Sequence, residues 1–209
     1  SMQNELADVD ALGAAAYLDT GKTVEDVRKD KVMTIGENIQ IRRFARYDNS
    51  TMNVGYIHGD GRIGVLVGLE VSDNLRKNAE VEALGRDICM QIAAMRPQWL
   101  NRDEVPTDVV EKEKEILKAQ TINEGKPEAV AEKIVAGRIN KFFEENCLVD
   151  QPFVKDDKLS VAKYADKVAG ELGGTIKVAR FARFERGEGI EKREDNFAEE
   201  IAKLTGGNN

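Results

Sequence analysis

Residues 56–70, "YIHGDGRIGVLVGLE", contain the single histidine of the chain and, directly after it, a G-x-G-x-x-G spelled by Gly59, Gly61 and Gly64. Two folds compete for this stretch. A dinucleotide-binding loop needs its glycines to end a strand and open a helix, whose N-terminus then faces the pyrophosphate. A hairpin needs strands on both sides of a tight turn. After the glycines come Ile63, Val65, Leu66, Val67 and Leu69, a β-branched and apolar run that reads as a strand. The preceding "MNVGYIH" alternates in the same way, and Asp60-Gly61 suits a mirror-image turn with positive φ at both central positions. The flanks favour the hairpin. His58 then lies at a strand end beside the turn, without the orienting carboxylate and nucleophile that a catalytic base requires. Its functional reading is a contact for another protein, and its bland reading a solvent-side hairpin residue.

Two further segments resemble each other. "IQIRRFARYD" (39–48) and "IKVARFARFE" (176–185) share I-x-[IV]-x-R-F-A-R-[YF]-[DE] and read as strands of one sheet. Strict alternation puts Ile176, Val178, Ala182 and Phe184 on one face and Phe181 on the other, among arginines. In the first copy Ile39, Ile41, Ala45 and Tyr47 oppose Phe44. Aromatic rings among arginines are able to stack nucleic-acid bases. The alternative is a partly covered face with arginine stems lying beside the rings, which suits a chain of net charge −7 and pI 5.0.

The remaining pattern is helical. Val81, Leu84, Ile88, Ile92 and Met95 form one stripe, in a helix running from about Asn74 and ending before Pro97, which is expected to cover the sheet. Ser160 caps a helix bearing Val161, Tyr164, Val168 and Leu172. Asn196 and Glu199 open a last one carrying Phe197, Ile201 and Leu204. Near the start, one helix spans Leu6, Val9, Leu12 and Ala16, and another begins at Thr23. From Pro106 to Asn146 the stripes thin to Val109, Val110, Ile116 and Leu117, then Val130, Ile134, Ile139, Phe142 and Phe143. Gly125 and Pro127 mark the turn between them. Narrow seams and a short connection predict a projecting antiparallel two-helix arm; packing flat on a sheet edge is the alternative. The fold class is thus α+β. The domains are a helical remnant (1–35), core sheet and helix (36–104), a coiled-coil hairpin (105–146), a return to the core sheet (147–188), and a C-terminal helical module with tail (189–209).

Composition narrows the function classes. At 209 residues, with 41% hydrophobic and 33% charged, the chain is long enough for a sizeable core. No apolar run reaches the roughly 20 residues of a membrane-spanning helix. Cys89 and Cys147 form no C-x-x-C pair. No metal, cofactor or catalytic group is expected, and neither membrane nor direct nucleic-acid binding.

The hairpin "YIHGDGRIGVLV", the arm turn "EGKPEAVAEKIVAGRINKF", then "QPFVKD", "RFERGEGIEK" and "NFAEEI" succeed one another in an order that resembles bacterial-type elongation factor Ts. The likeness runs from about Gly36 to Leu204. It implies a non-enzymatic guanine-nucleotide exchange factor for elongation factor Tu, cytoplasmic, with an organellar matrix or stroma also open. It implies an α+β core with two similar subdomains on antiparallel sheets, a coiled-coil protrusion and a C-terminal helical module. Carried over by position, it makes Tyr56, His58 and Arg62 contacts to a distal domain of the GTPase. Phe153, Val154 and Phe197 become contacts near its nucleotide-binding domain. Homodimerisation is open as well, since some members of the family show it. Lys155 departs from the apolar residue many members carry. A T-D-F-V motif, which intrudes near the nucleotide's Mg²⁺ in the family, is absent, and Val71–Leu75 is its nearest echo. Ser1-Met2 reads as an expression remnant on a shortened chain. Exchange is therefore expected to be impaired.

Overall fold

The computed structural model describes residues 8–190. Its contacts divide the chain into two units, meeting between Asp48 and Asn49.

The first unit is helical. Helix α1 (Val9–Ala14) starts where the Asp8 carboxylate accepts the Ala11 N–H at 2.8 Å. Helix α2 (Val24–Ile35) starts at a reciprocal cap: Thr23 Oγ1 accepts from the Asp26 N–H, and the Asp26 carboxylate accepts from the Thr23 N–H. It stops at Gly36, whose φ of 80° closes the last turn. Residues 39–48 carry no strand, contrary to the expectation from their likeness to 176–185. A likeness of residue pattern does not by itself set the hydrogen-bonded pairing that makes a strand. The segment is fixed at its start by Arg28, which donates to the Ile39 carbonyl at 2.7 Å while pairing with Glu25.

The second unit is built on a three-stranded antiparallel sheet of order β1-β2-β5. β1 (Met52–His58) and β2 (Ile63–Val71) form the hairpin predicted at the opening stretch, in register His58↔Ile63 through Met52↔Leu69. Arg62 N–H donates to the Gly59 carbonyl at 2.9 Å across Asp60 (φ 51°) and Gly61 (φ 81°), the positive angles that the mirror-image turn demands. A strand succeeds Gly61, so the phosphate-loop reading falls.

β5 (Ile176–Glu185) pairs with β2, but the ladder steps from Gly68↔Arg180 to Leu69↔Val178 and skips Ala179. This bulge reverses the alternation. Phe181, opposite Val67, joins Ile176 and Val178 on the core face instead of lying on the face opposite theirs, while Ala182 and Phe184 turn away.

Helix α3 (Ala79–Met95), capped by Asn78, lays Val81, Leu84, Ile88 and Ile92 on Val54, Val65, Val67 and Leu69, all of them buried. Met95, expected in that stripe, is 49% exposed. Burial of such a side chain stabilises by about 1.5–3 kcal/mol, so this stripe anchors the unit. Helix α6 (Val161–Glu171), capped by Ser160, packs against β5 and the short β3–β4 hairpin (Pro152–Phe153 and Asp156–Ser160).

Helices α4 (Thr107–Asn123) and α5 (Glu128–Asn146) lie antiparallel, joined across Gly125 (φ 80°). Lys118 reaches Glu128, and Arg138 reaches Glu124. Their seam is Thr121, Ala131, Val135 and Ile139, all buried, whereas Ile116 and Val130 face out. Thr121 satisfies its buried hydroxyl by donating to the Leu117 carbonyl at 2.7 Å.

Candidate partner-binding site

The sequence-predicted residues fall into two groups, and both depend on α3. In the first, alternation along β1 puts Val54, Tyr56 and His58 on one face, descending from buried to exposed toward the hairpin end. Tyr56 Oη lies 2.9 Å from His58 Nδ1 with the rings tilted at 39°, so each aromatic orients the other. Arg62 leaves the turn toward Glu185, 3.5 Å away.

Glu185 is the hub of this end of the sheet. Its carboxylate meets Arg183 at 2.8 Å, Arg96 at 3.3 Å and Arg62, drawn from β5, the C-cap of α3 and the hairpin turn. The hydrogen bond from Arg183, with the charges of Arg96 and Arg62 behind it, holds the Glu185 carboxyl below the usual carboxylate range. Three guanidiniums gather on Glu185, and the neighbouring Arg186 and Glu188 add one charge of each sign, which leaves a local cationic excess on a chain that is acidic overall. A recess opens there, lined by Arg62, Arg96, Phe181, Arg183 and Arg186.

The second group sits at the β3–β4 hairpin. Phe153 pairs with Asp156, which makes Val154-Lys155 the tip. Phe153 is 1% exposed, and its ring stacks on Tyr164 with centroids 4.4 Å apart. It is a core side chain in the free protein. Val154 beside it is 54% exposed. Beneath the tip, Gln91 of α3 is fully buried and fully used: its amide nitrogen donates to Gln151 Oε1 (3.1 Å) and the Pro152 carbonyl (3.0 Å), and its oxygen accepts the Val154 N–H (2.9 Å). Gln151 in turn donates to the Glu145 carbonyl at the end of α5. One helical turn before Gln91, Asp87 holds Lys155 at 2.6 Å.

Phe197, the remaining sequence-predicted contact, lies outside the described residues. Sequence reasoning missed Asp87, Gln91, Arg96 and Glu185. Gln91 alone left a signal, a polar residue interrupting the apolar stripe between Ile88 and Ile92. No cluster of three or more His, Cys, Asp or Glu suited to a metal ion occurs among the described residues. No helix among them is long and apolar enough to cross a membrane.

These features define an α+β protein with two hairpin tips, one on the helix-backed three-stranded sheet and one on a separate two-stranded sheet, and an antiparallel helical pair. The family model described as elongation factor TS matches residues 1–188. The elongation factor Ts of Symbiobacterium thermophilum is 52% identical over 184 residues, covering 87% of this chain and 60% of the relative. That of Syntrophotalea carbinolica is 48% identical over 200 residues, covering 95% and 65%, and that of Clostridium botulinum (strain Eklund 17B) 49% over 190, covering 90% and 61%. The chain belongs to the elongation factor Ts family, and it spans less than two thirds of the length of these curated relatives.

Proposed function

We propose that this chain binds elongation factor Tu and promotes release of its guanine nucleotide, as a cytoplasmic, non-enzymatic translation factor. Membership of the family over residues 1–188 carries the reading. The two tips support it, since His58 and Arg62 are exposed at one, with Tyr56 half-buried beside His58, and Val154 is exposed at the other; we read these four as partner contacts. Phe153 serves by supporting Val154 from the core. Phe197 is proposed as a third contact on its position in the family. The helical pair α4–α5 is read as the coiled-coil protrusion of the family.

Exchange of this kind needs neither nucleophile nor proton transfer. A factor that prefers the GTPase conformation with a disturbed phosphate and Mg²⁺ site weakens nucleotide binding, and bound nucleotide weakens the factor's binding by the same ratio. The sequence as given holds no T-D-F-V motif. We therefore assign it binding with slowed exchange, and we expect no direct nucleic-acid contact.

Release of mant-GDP from elongation factor Tu tests both parts. The chain is expected to co-purify with the nucleotide-free GTPase, to lose it on addition of GDP and Mg²⁺, and to accelerate release less than a full-length relative does. Absence of a GDP-sensitive complex would reject the partner, and full-speed release would reject the impairment.

A further inference from the structure

We infer that Asp87 and Gln91 are positioning residues, which set the pose of the Val154-Lys155 tip and through it the affinity for the partner without touching the partner. The inference rests on the proposed reading of Val154 as a contact.

The two residues stand four apart on α3, so their side chains project from one face. They grip the tip in complementary ways. Gln91 takes the backbone: its oxygen accepts the Val154 N–H, and its amide donates to the carbonyl of Pro152 two residues earlier. The orientation of this amide is fixed by its partners, because a flipped group would aim donors at the Val154 N–H and leave two acceptor oxygens facing an acceptor. Asp87 takes the side chain at the other tip position. Its carboxylate is largely covered, 13% exposed, while Lys155 is 54% exposed. Position 155 therefore faces inward to the helix through its ammonium group, and Val154 is the apolar side chain the tip offers outward.

A two-residue hairpin tip has little packing of its own, and β3 and β4 are paired only at Pro152↔Ser160 and Phe153↔Asp156. Left to that ladder, the tip would sample several poses, and a partner would select among them at a cost in affinity. Anchors at Gln91, within the stretch Ile88–Ile92 that is buried apart from Met90, and at Asp87 directly before it restrict the tip to one.

The measurements are affinity for nucleotide-free elongation factor Tu and amide hydrogen exchange at Val154, on the full chain. Gln91→Met keeps volume and removes the hydrogen bonds. It should speed exchange at the Val154 amide at least about tenfold and weaken partner binding about fivefold, the worth of roughly one net hydrogen bond. In a Val154→Ala background the same change should have no further effect on affinity, which a merely structural role would not produce. Should the buried substitution prevent folding, Asp87→Lys serves. It should weaken binding, and adding Lys155→Asp should restore it. Equal losses in both backgrounds, unchanged Val154 exchange, or failure of the charge swap to rescue would overturn the positioning role. If Val154→Ala alone leaves affinity unchanged, the contact reading falls instead, and the amide exchange still judges the clamp.

Discussion

Helix α3 approaches the sheet closely at Gly85, and an alanine there is a severe test of the packing. A Cβ built on Gly85 would lie 2.6 Å from Val54 Cγ2, 3.1 Å from Val54 Cβ and 3.4 Å from Leu69 Cδ1. Val54 cannot step aside. It is 5% exposed, β-branched and held in its strand opposite Val67. Nearby, Cys89 also touches β1, its Sγ 3.4 Å from the Val54 carbonyl, so the helix cannot lift locally. Two terms oppose each other. Replacing a mid-helix glycine by alanine gains about 1 kcal/mol of helix propensity. Forcing a methyl into a filled core costs roughly 1–3 kcal/mol. The clash wins, and Gly85→Ala is expected to destabilise by about 1 kcal/mol. Gly137, inside α5, supplies the control, since a Cβ there meets nothing within 4 Å. Gly137→Ala should stabilise by about 0.5–1 kcal/mol, propensity alone. Urea unfolding followed by far-ultraviolet circular dichroism reads both, as midpoints at constant slope. In the double mutant with Val54→Ala the Gly85→Ala penalty should largely vanish. A Gly85→Ala midpoint that rises with Gly137→Ala would refute the close approach of α3 and β1.

Phe153→Ala should cost about 3–5 kcal/mol, because its ring is buried on Tyr164, whereas Val154→Ala should stay within about 0.5 kcal/mol in stability and reveal itself only in partner binding. Thermal melts beside a binding titration separate the two. The folded pKa of Glu185 is depressed, so its contribution is present above the unfolded carboxylate value, about 4.3, and disappears as pH falls from there through the folded value. Glu185→Gln should remove that dependence, and an unaltered stability profile between pH 5 and 2 (roughly the window in which acid denaturation acts) would argue against the arginine hub. Burial pushes the Cys89 thiol to about 12 and the Cys147 thiol to about 11, and both side chains are enclosed. Neither should react with a thiol-directed disulfide reagent at pH 8 (roughly the pKa of a free thiol) until the chain is unfolded, and rapid native labelling would count against the packing around α3 or α5.

What the sequence revealed was decided by locality. The Asp60-Gly61 turn and the helix starts at Thr23 and Ser160 depend on a few neighbouring atoms, and each has a residue-type signature that survives without a partner, whereas the helix expected from about Asn74 begins only after Asn78. The face assignment of β5 has no such signature. Whether Phe181 points inward is set by the bulge at Ala179, which arises from registry against β2, a strand more than a hundred residues earlier. Residues 39–48 differ from 176–185 for the same reason, because a shared residue pattern does not by itself set strand pairing. The site divides likewise. His58 and Arg62 emerge from the hairpin, but the use of Gln91 depends on oxygens at 151 and 152 that only the fold brings to it.

This non-local part bears most directly on the proposed exchange. A factor displaces a GTPase from its nucleotide-bound conformation only by binding the other conformation better, and that preference survives only if the factor deforms less than its partner. Helix α3 supplies the stiffness. Between Asp87 and Arg96 it rises about 13 Å, at 1.5 Å per residue, with Ile88, Cys89 and Ile92 wholly enclosed. Its middle holds one tip, through Gln91 and Asp87 at Val154-Lys155, and its C-cap Arg96 shares Glu185 of β5 with Arg62 at the other. A close-packed interior resists small displacements, so the spacing of the tips is a property of the core. Under the proposed function, binding at both tips then forces the adjustment onto the GTPase, which is the direction nucleotide release requires.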